Sequence, residues 1–444
     1  MDFIDNLVLP QSPEHMELLK DLLILTYILF IPYITLLLGS TILSYYYSGR
    51  GIKEENSSFI SFAKDLIDLV TFTKSVAFGF AVIPLFSALF CYAQLLHENP
   101  VSLSPYISLT ILFLFISLVF VYTFKHSFHL KDILSQVDEN KIDSDVNHYK
   151  SSSVKLFNKS GKYAVLFLLI TLYLFSASIE LSFRVQTYTE TPSIIDVLIS
   201  FSAFTYFMYL VALSFGLTSL VVLFKYFRPN SETKVKSEEY SEFLRTKSLS
   251  LGIVSLLIIP FTVALNIITK PGTALTSGVF TLTIIAILGL LFLGNFLYVM
   301  LKYANTRYTT SSVFVFLIIL CLLIVKDQLA FSSSTHKQYF VLASAFADYE
   351  QKMMEEMGGG AAVISGEDIF NGRCIACHKF EEKLVGPPYN SVLPKYEGKQ
   401  EDLVKFILNP VKVNPDYPAM PNQGLKPNEA KAIAEYIVNM YQSK

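Results

Sequence analysis

Charge is scarce in this sequence. Only 16% of its 444 residues are Asp, Glu, Lys or Arg, against 52% that are hydrophobic. A soluble chain of this length would be read as two or three domains, and the shortage of charge argues against that reading. Net charge is −2, so no broad basic surface draws the protein to nucleic acid, and no nucleic-acid partner is expected. Positive charge is also missing from the N-terminus, where Asp2, Asp5, Glu14, Glu17 and Asp21 outnumber a single Lys20. A cleavable signal peptide begins with the opposite charge, so the first apolar run is expected to stay as a membrane anchor. Cysteine is limited to four residues. Cys91 and Cys321 fall inside apolar runs and read as small core side chains. Histidine numbers seven and tryptophan zero, two shortages that constrain the chemistry of the apolar part.

What the sequence does have is a series of long apolar runs. A helix needs about 20 mostly apolar residues to cross a bilayer. Eight runs are long enough, at roughly 22–46, 75–96, 104–124, 162–183, 197–224, 249–268, 277–301 and 309–325. Eight such runs separated by polar loops exclude a soluble core. Lys and Arg gather on the cytoplasmic side of short loops. Nineteen of them lie in the loops after runs 1, 3, 5 and 7, and two, Arg184 and Lys270, in the alternate loops. This bias predicts long loops in the cytoplasm and both termini outside.

Local signals add detail. Ser12-Pro13-Glu14 predicts a helix start, with an N-cap Ser, Pro at the first position and an acid in the first turn. The helix is expected to run on through the first span, with Pro32 as a kink. Residues 58–73 are amphipathic and suit the inner membrane interface. Residues 126–160, rich in Ser, Asp and Lys, read as a cytoplasmic loop with short helices, and residues 229–242 as another charged loop. Residues 336–356 are helical in character. The run Gly358-Gly359-Gly360 that follows reads as a flexible joint, because consecutive glycines are expensive to order. The expected domains are therefore 1–326 (transmembrane), 327–362 (external helix and Gly linker) and 363–444 (a compact C-terminal domain).

That last domain carries the motif Cys374-Ile375-Ala376-Cys377-His378. Two thiols at this spacing add across haem vinyl groups, and the adjacent His supplies an iron ligand. A zinc site or a redox pair is the alternative for the bare CxxC. The surroundings favour haem. Residues 366–370 open a short helix whose Ile369 and Phe370 suit packing against a porphyrin. Gly386-Pro387-Pro388 forms a rigid turn of the kind that packs against the proximal His. From Pro427, the apolar stripe Ala430, Ile433, Ala434, Ile437, Val438 and Tyr441 predicts a helix, expected to pack across the first helix of the domain.

This stretch resembles the class I monohaem cytochrome c family, over about residues 365–444. The resemblance implies one covalent haem c on Cys374 and Cys377, with Ile369, Phe370 and Pro387 packing against it. It also implies His378 as one axial iron ligand and a Met before the last helix as the other. Tyr417-Pro418-Ala419-Met420-Pro421 matches that element, and Met420 follows His378 by 42 residues. Met440 competes, but it falls within the final helix. A His/Met pair implies a raised potential and a one-electron relay with no open iron site. Residues 366–444 hold ten Lys or Arg and ten Asp or Glu, so only Lys379, Lys383 and Lys412 suggest a local basic docking patch.

The apolar part offers less. None of the histidines lies deep inside a span, so b-haem is not expected, and the paired ligands of a bc-type cytochrome b or a haem–copper oxidase core are missing. His126 and His129 share one face at the inner end of span 3. The absence of Trp removes motifs typical of the catalytic subunit of bd-type oxidases, although the N-terminal region weakly resembles bd-superfamily subunits. As a haem-free eight-helix unit the chain is also similar to quinol-binding subunits of the NrfD type. Quinone is therefore a candidate second cofactor, with His97, Glu180 and Arg184 as its candidate site. Glu180 and Arg184, four apart on a helix, would otherwise simply pair with each other.

The sequence therefore predicts an all-α protein: a polytopic bundle of about eight transmembrane helices with a C-terminal extracytoplasmic class I cytochrome c domain. It is expected in the bacterial cytoplasmic membrane, with the N-terminus and the cytochrome domain on the outer side. The expected role is relaying single electrons as a subunit of a respiratory oxidoreductase complex. Its partners would be other membrane subunits, the lipid bilayer, and an electron donor or acceptor protein on the outer face. The alternatives are a quinol-oxidising subunit passing electrons to its own haem, a c-haem-bearing subunit of a bd-like oxidase, and a redox-gated transporter or sensor.

Overall fold

A computed structural model describes residues 10–97, 99–135, 144–188, 192–229, 237–356 and 365–442. The Gly358–Gly360 joint and residues 230–236 of the expected 229–242 loop lie outside the described residues, and residues 238–242 of that loop are helical instead. All regular structure among the described residues is helical. The chain divides into two compact units, one of residues Met16–Gln338 and one of Met1–His15 with Tyr339–Lys444.

The larger unit is a helical bundle. Its long helices are α1 (Pro13–Lys53), α3 (Lys74–Leu95), α4 (Ser104–Ser135), α5 (Ser144–Ser182), α6 (Phe201–Phe227), α7 (Glu238–Thr269), α8 (Ser277–Lys302) and α9 (Thr309–Ser334). These eight are long and apolar enough to cross a membrane, and each overlaps one of the eight apolar runs. Helices are the natural solution, because hydrocarbon satisfies no backbone hydrogen bond. Side chains mark the helix starts. The Ser12 hydroxyl accepts from the N–H of His15 at 3.1 Å, as the Ser-Pro-Glu signal predicts, and Thr276 caps α8 in the same way. α1 continues through Pro32, and the Thr35 hydroxyl there donates to the Ile31 carbonyl at 2.6 Å. Between helices, small hydroxyls bridge directly, as Ser117 of α4 does to Thr171 of α5 at 3.0 Å. Such side chains allow close packing where no hydrophobic effect drives helices together.

Two features concern the polar ends of the bundle. The expected loop at 126–160 is instead mostly helix, with α4 running to Ser135 and α5 starting at Ser144. An aromatic seam explains the extension. Phe157 stacks on Phe124 at 5.2 Å and packs against Phe128 at 4.9 Å, and Lys131 caps its ring at 4.7 Å. The amphipathic segment forms α2 (Ser57–Val70), capped by Asn56 and burying Phe59, Phe62, Leu66 and Ile67. Its acids tie it down. Asp65 accepts from the Tyr240 hydroxyl at 2.6 Å, and Asp68 meets Lys125 at 3.2 Å and His129 at 3.1 Å. Lys64 pairs with Asp132.

The smaller unit contains most of α10 (His336–Glu356) together with α11 (Gly366–Ile369), α12 (Gln400–Leu408) and α13 (Pro427–Gln442). Its core joins Phe370, Tyr389, Leu403 and Ile407 to the α13 stripe of Ala430, Ile433, Ala434 and Ile437. α11 crosses α13 closely at Gly366, where a β-carbon would run into the Ala432 carbonyl. One turn on, Phe370 packs against Tyr436 at 5.5 Å. The two terminal helices of this domain therefore meet as the periodicity predicts.

Candidate functional site

The cleft of the smaller unit grows from one short stretch of backbone. Ser365 caps α11 by accepting from the N–H of Asp368 at 3.1 Å. A π-helical turn, Phe370–Cys374, continues the chain. The N–H groups of Cys377 and His378 then both bond the Cys374 carbonyl, at 3.1 and 3.0 Å. This turn puts both cysteines and the histidine on the wall of one cleft. A second segment is pinned alongside. Gly386 N–H donates to the Cys377 carbonyl at 2.8 Å, and Tyr389 N–H to the Lys379 carbonyl at 3.0 Å.

That pairing decides the state of the His378 ring. Its Nδ1 lies 3.0 Å from the Pro387 carbonyl oxygen. A carbonyl only accepts, so Nδ1 carries the proton and the neutral ring keeps its lone pair on Nε2. Tyr389 stacks on the ring at 5.1 Å. Gly386 makes the arrangement sterically feasible, because a β-carbon at that position would collide with the imidazole.

The facing wall is the segment around Met420, with Pro418 and Pro421. It runs between α12 and α13 without regular structure. Arg373 reaches across and donates from Nη1 to the Gln423 carbonyl at 2.7 Å. The space between the walls, counting the open solvent at its mouth, is about 480 Å³. Cys374, Cys377, His378, Pro387 and Met420 all line it. Ile369 and Phe370 stand in the apolar core instead.

The chemistry on offer is specific. Burial pushes the Cys374 thiol up to about 11, the opposite of the acidified thiolate that a redox pair needs. Among the described residues no three His, Cys, Asp or Glu side chains converge as a metal-binding group, which disfavours a tetrahedral zinc site. What remains is one imidazole lone pair and one thioether, with two thiols beside them. Outside the cleft, Lys379 is paired with Glu382 at 2.8 Å, and that bond holds the Glu382 carboxyl below its usual range. Lys383 sits over the Tyr417 ring at 4.6 Å. Of the three lysines considered as a docking patch, Lys379 is therefore neutralised locally.

In the bundle, Glu180, Arg184 and His97 each have their own neighbours. Glu180 does not pair with Arg184, because α5 stops at Ser182 and Arg184 falls in the following turn. Glu180 meets Lys270 at 3.3 Å and accepts from Asn266 Nδ2 at 2.9 Å. Arg184 donates to the Thr269 carbonyl at 2.6 Å. The His97 carbonyl accepts from Gln338 at 2.5 Å. The apolar-run reading missed two buried charges, Lys326 and Asp327 of α9. They lie just past residue 325, where the apolar run ends, and the apolar residues Leu329, Ala330 and Phe331 after them are the signal that the helix continues.

Comparison with known proteins places the smaller unit. A family model described as "Cytochrome C oxidase, cbb3-type, subunit III" matches residues 361–437. Cytochrome c-551 of Pseudomonas denitrificans is 41% identical over 81 residues, which are 17% of this chain and 98% of that protein. Cytochrome c-552 of Nitrosomonas europaea is 33% identical over 86 residues, 18% of this chain and 82% of that protein. Cytochrome c-552 of Hydrogenobacter thermophilus is 36% identical over 72 residues, 15% of this chain and 71% of that protein. No solved structure matches the chain significantly.

Proposed function

Through its C-terminal segment this chain belongs to the cytochrome c family, and on that premise we propose that the protein is a membrane-anchored relay for single electrons. Membership implies a covalent haem c, and the cleft fits one. Its thiols stand on the wall, Gly386 leaves room for the His378 ring, and the Nε2 lone pair is free. When bound, the haem supplies an iron that gains or loses one electron at a time. In this reading Cys374 and Cys377 would form the thioether links, and His378 Nε2 and Met420 Sδ would hold the iron. Pro387 packs beside the ring from the wall, and Ile369 and Phe370 support it from the core. The sequence has one CxxCH, hence one haem. The observation that carries the proposal is the Pro387-locked His378 on one wall with Met420 on the other. Two protein ligands on the iron would suit a relay rather than chemistry on a small molecule.

The bundle (residues 1–326) is proposed as the anchor, with residues 327–362 as the tether and 363–444 as the haem domain. The Lys and Arg bias supports the bacterial cytoplasmic membrane with the haem domain on the outer face. A tether raises the effective concentration of a relay beside its partners without new contacts. The oxidase-subunit description of the matching family model supports a respiratory complex as that partner. The test is to purify the complex from native membranes, record its haem spectrum and identify the subunits that come with it. One c-haem in this chain with stoichiometric oxidase or reductase subunits is the expected result. Direct reduction of the haem by quinol in the isolated chain would favour the alternative, a quinol-oxidising subunit using His97, Glu180 and Arg184.

A further inference from the structure

Polar side chains inside a membrane span are costly and usually face protein. Several in the bundle meet that need internally. Glu180, Lys270, Lys326 and Asp327 form a buried tetrad, with Lys270 3.3 Å from Glu180 and 3.4 Å from Asp327, and Lys326 2.8 Å from Asp327. Asn266 donates to Glu180 at 2.9 Å. Asn295 of α8 does not follow this pattern. Away from the ends of the eight apolar runs, it is the one exposed side chain among the described residues that carries an amide or a charge. It precedes Lys302, at the inner end of α8, by two turns, about 10 Å along the axis. That depth lies within the hydrocarbon. Its Nδ2 donates to the Leu291 carbonyl one turn back, at 3.3 Å. A second N–H and Oδ1 are left for a group outside the chain, and lipid tails offer neither donor nor acceptor.

The surroundings of Asn295 are ordered for a helix partner. α8 packs on α7 and α9 and is the least buried of the eight long helices. Its buried face includes Thr283, Ala286, Leu290, Leu293 and Leu297. Along the opposite face run Ile284, Leu288, Leu291, Asn295 and Tyr298, alternately four and three residues apart. The four apolar members of this row are each more than half exposed. Alternate steps of four and three make the a/d seam of a left-handed helix pair, the commonest way helices pack in membranes. In that register Asn295 takes an a position, where a single Asn fixes register and oligomeric state. The apolar members alone would suit lipid. The amide does not, and it also identifies the occupant. With one donor and one acceptor free, it is its own complement. Copies of one chain inserted in the same orientation meet symmetrically about an axis along the membrane normal. That axis sets the two α8 helices parallel, and Asn295 then faces Asn295.

We propose that α8 is the interface of a parallel homodimer in the membrane, joined along Ile284, Leu288, Leu291, Asn295 and Tyr298, with the two Asn295 amides paired across the two-fold axis. Each amide keeps its bond to Leu291 and gives its second N–H to Oδ1 of the other. Such a dimer carries two haem domains on one face of the membrane. The inference rests on the bundle lying in the membrane and is independent of the electron-relay reading.

The test uses the full chain, labelled with a fluorophore, in liposomes over a range of lipid dilution, with copies counted by single-molecule photobleaching. The wild type should be paired at high protein-to-lipid ratio and separate on dilution. Asn295→Leu should weaken pairing about tenfold while melting no lower than wild type, because leucine suits a lipid-facing position. In native membranes, Leu288→Cys on the seam should cross-link to a second copy of this chain. Leu112→Cys, on an exposed position of α4, should not. The cross-link decides the matter even if Asn295→Leu folds poorly. The proposal is overturned by a wild type that stays single at every dilution, or by pairing unchanged in a folded Asn295→Leu. It is equally overturned if Leu288→Cys cross-links no more than Leu112→Cys, or if it captures a different protein, which would make α8 the seat of another subunit.

Discussion

In the C-terminal unit, Cys374, Cys377, His378, Gly386 and Pro387 come from one short stretch and are aligned by backbone hydrogen bonds. In the bundle, Glu180, Asn266, Lys270, Lys326 and Asp327 come from helices far apart in sequence and are aligned by charge. The two regions should therefore fail differently. A change in the cleft removes chemistry and leaves the fold, because the backbone bonds persist. A change in the buried tetrad removes a counter-charge and threatens the fold, because an uncompensated charge in a low-dielectric interior is costly.

The largest effect expected is on the cleft side. Cys374→Ala with Cys377→Ala removes both thioether links, so covalent haem staining of the chain should vanish. Membrane insertion, read by protease protection, should be unchanged, and loss of insertion would erase the contrast between the two regions. On the bundle side, Asp327→Asn leaves Lys326 and Lys270 without their shared carboxylate. Breaking a buried pair in this way costs about 3–5 kcal/mol, which should appear as a marked drop in melting temperature in detergent. A melting temperature near wild type would show that the tetrad tolerates imbalance.

The same contrast governs what could be read before the structure. The eight spans were legible because hydropathy is local, and the helix meeting across Gly366 followed from the α13 stripe. The cleft was legible because a contiguous motif carries its own geometry. The partner of Glu180 was not. A spacing of four suggests Arg184 only while the helix lasts, and α5 ends between the two. Lys326 and Asp327 looked like the edge of a span because charges usually are, and only packing against α6 and α7 makes them interior. The helical extensions over 126–160 hid in a polar composition, although Phe124, Phe128 and Phe157 stand at spacings that favour a packed pair of helices.

Gly386→Ala sharpens the comparison within the cleft. The added methyl must displace the His378 ring, and overpacking of this kind costs about 1–3 kcal/mol. Because the ring would also leave the Pro387 carbonyl, the variant should retain haem but show weakened axial ligation in its visible spectrum. An unchanged spectrum would mean that the ring is positioned by its neighbours and not by the missing β-carbon.

The smallest effect belongs to Arg373. The segment carrying Met420 is held mainly by short-range bonds such as Asp416 N–H to Asn414 and Gly424 N–H to Asn422. The Arg373–Gln423 bond is its tie to the facing wall. Arg373 is exposed, so water replaces much of what is lost, and Arg373→Ala should cost about 1 kcal/mol or less of stability. The tie controls where Met420 sits, however, so the near-infrared band of the thioether–iron bond should weaken with heating sooner than in the wild type. Arg373→Lys retains a donor without the planar fork and should fall between the two. If all three lose the band at the same temperature, Met420 is held by its flanking prolines alone, and the facing wall of the cleft is as locally built as the first.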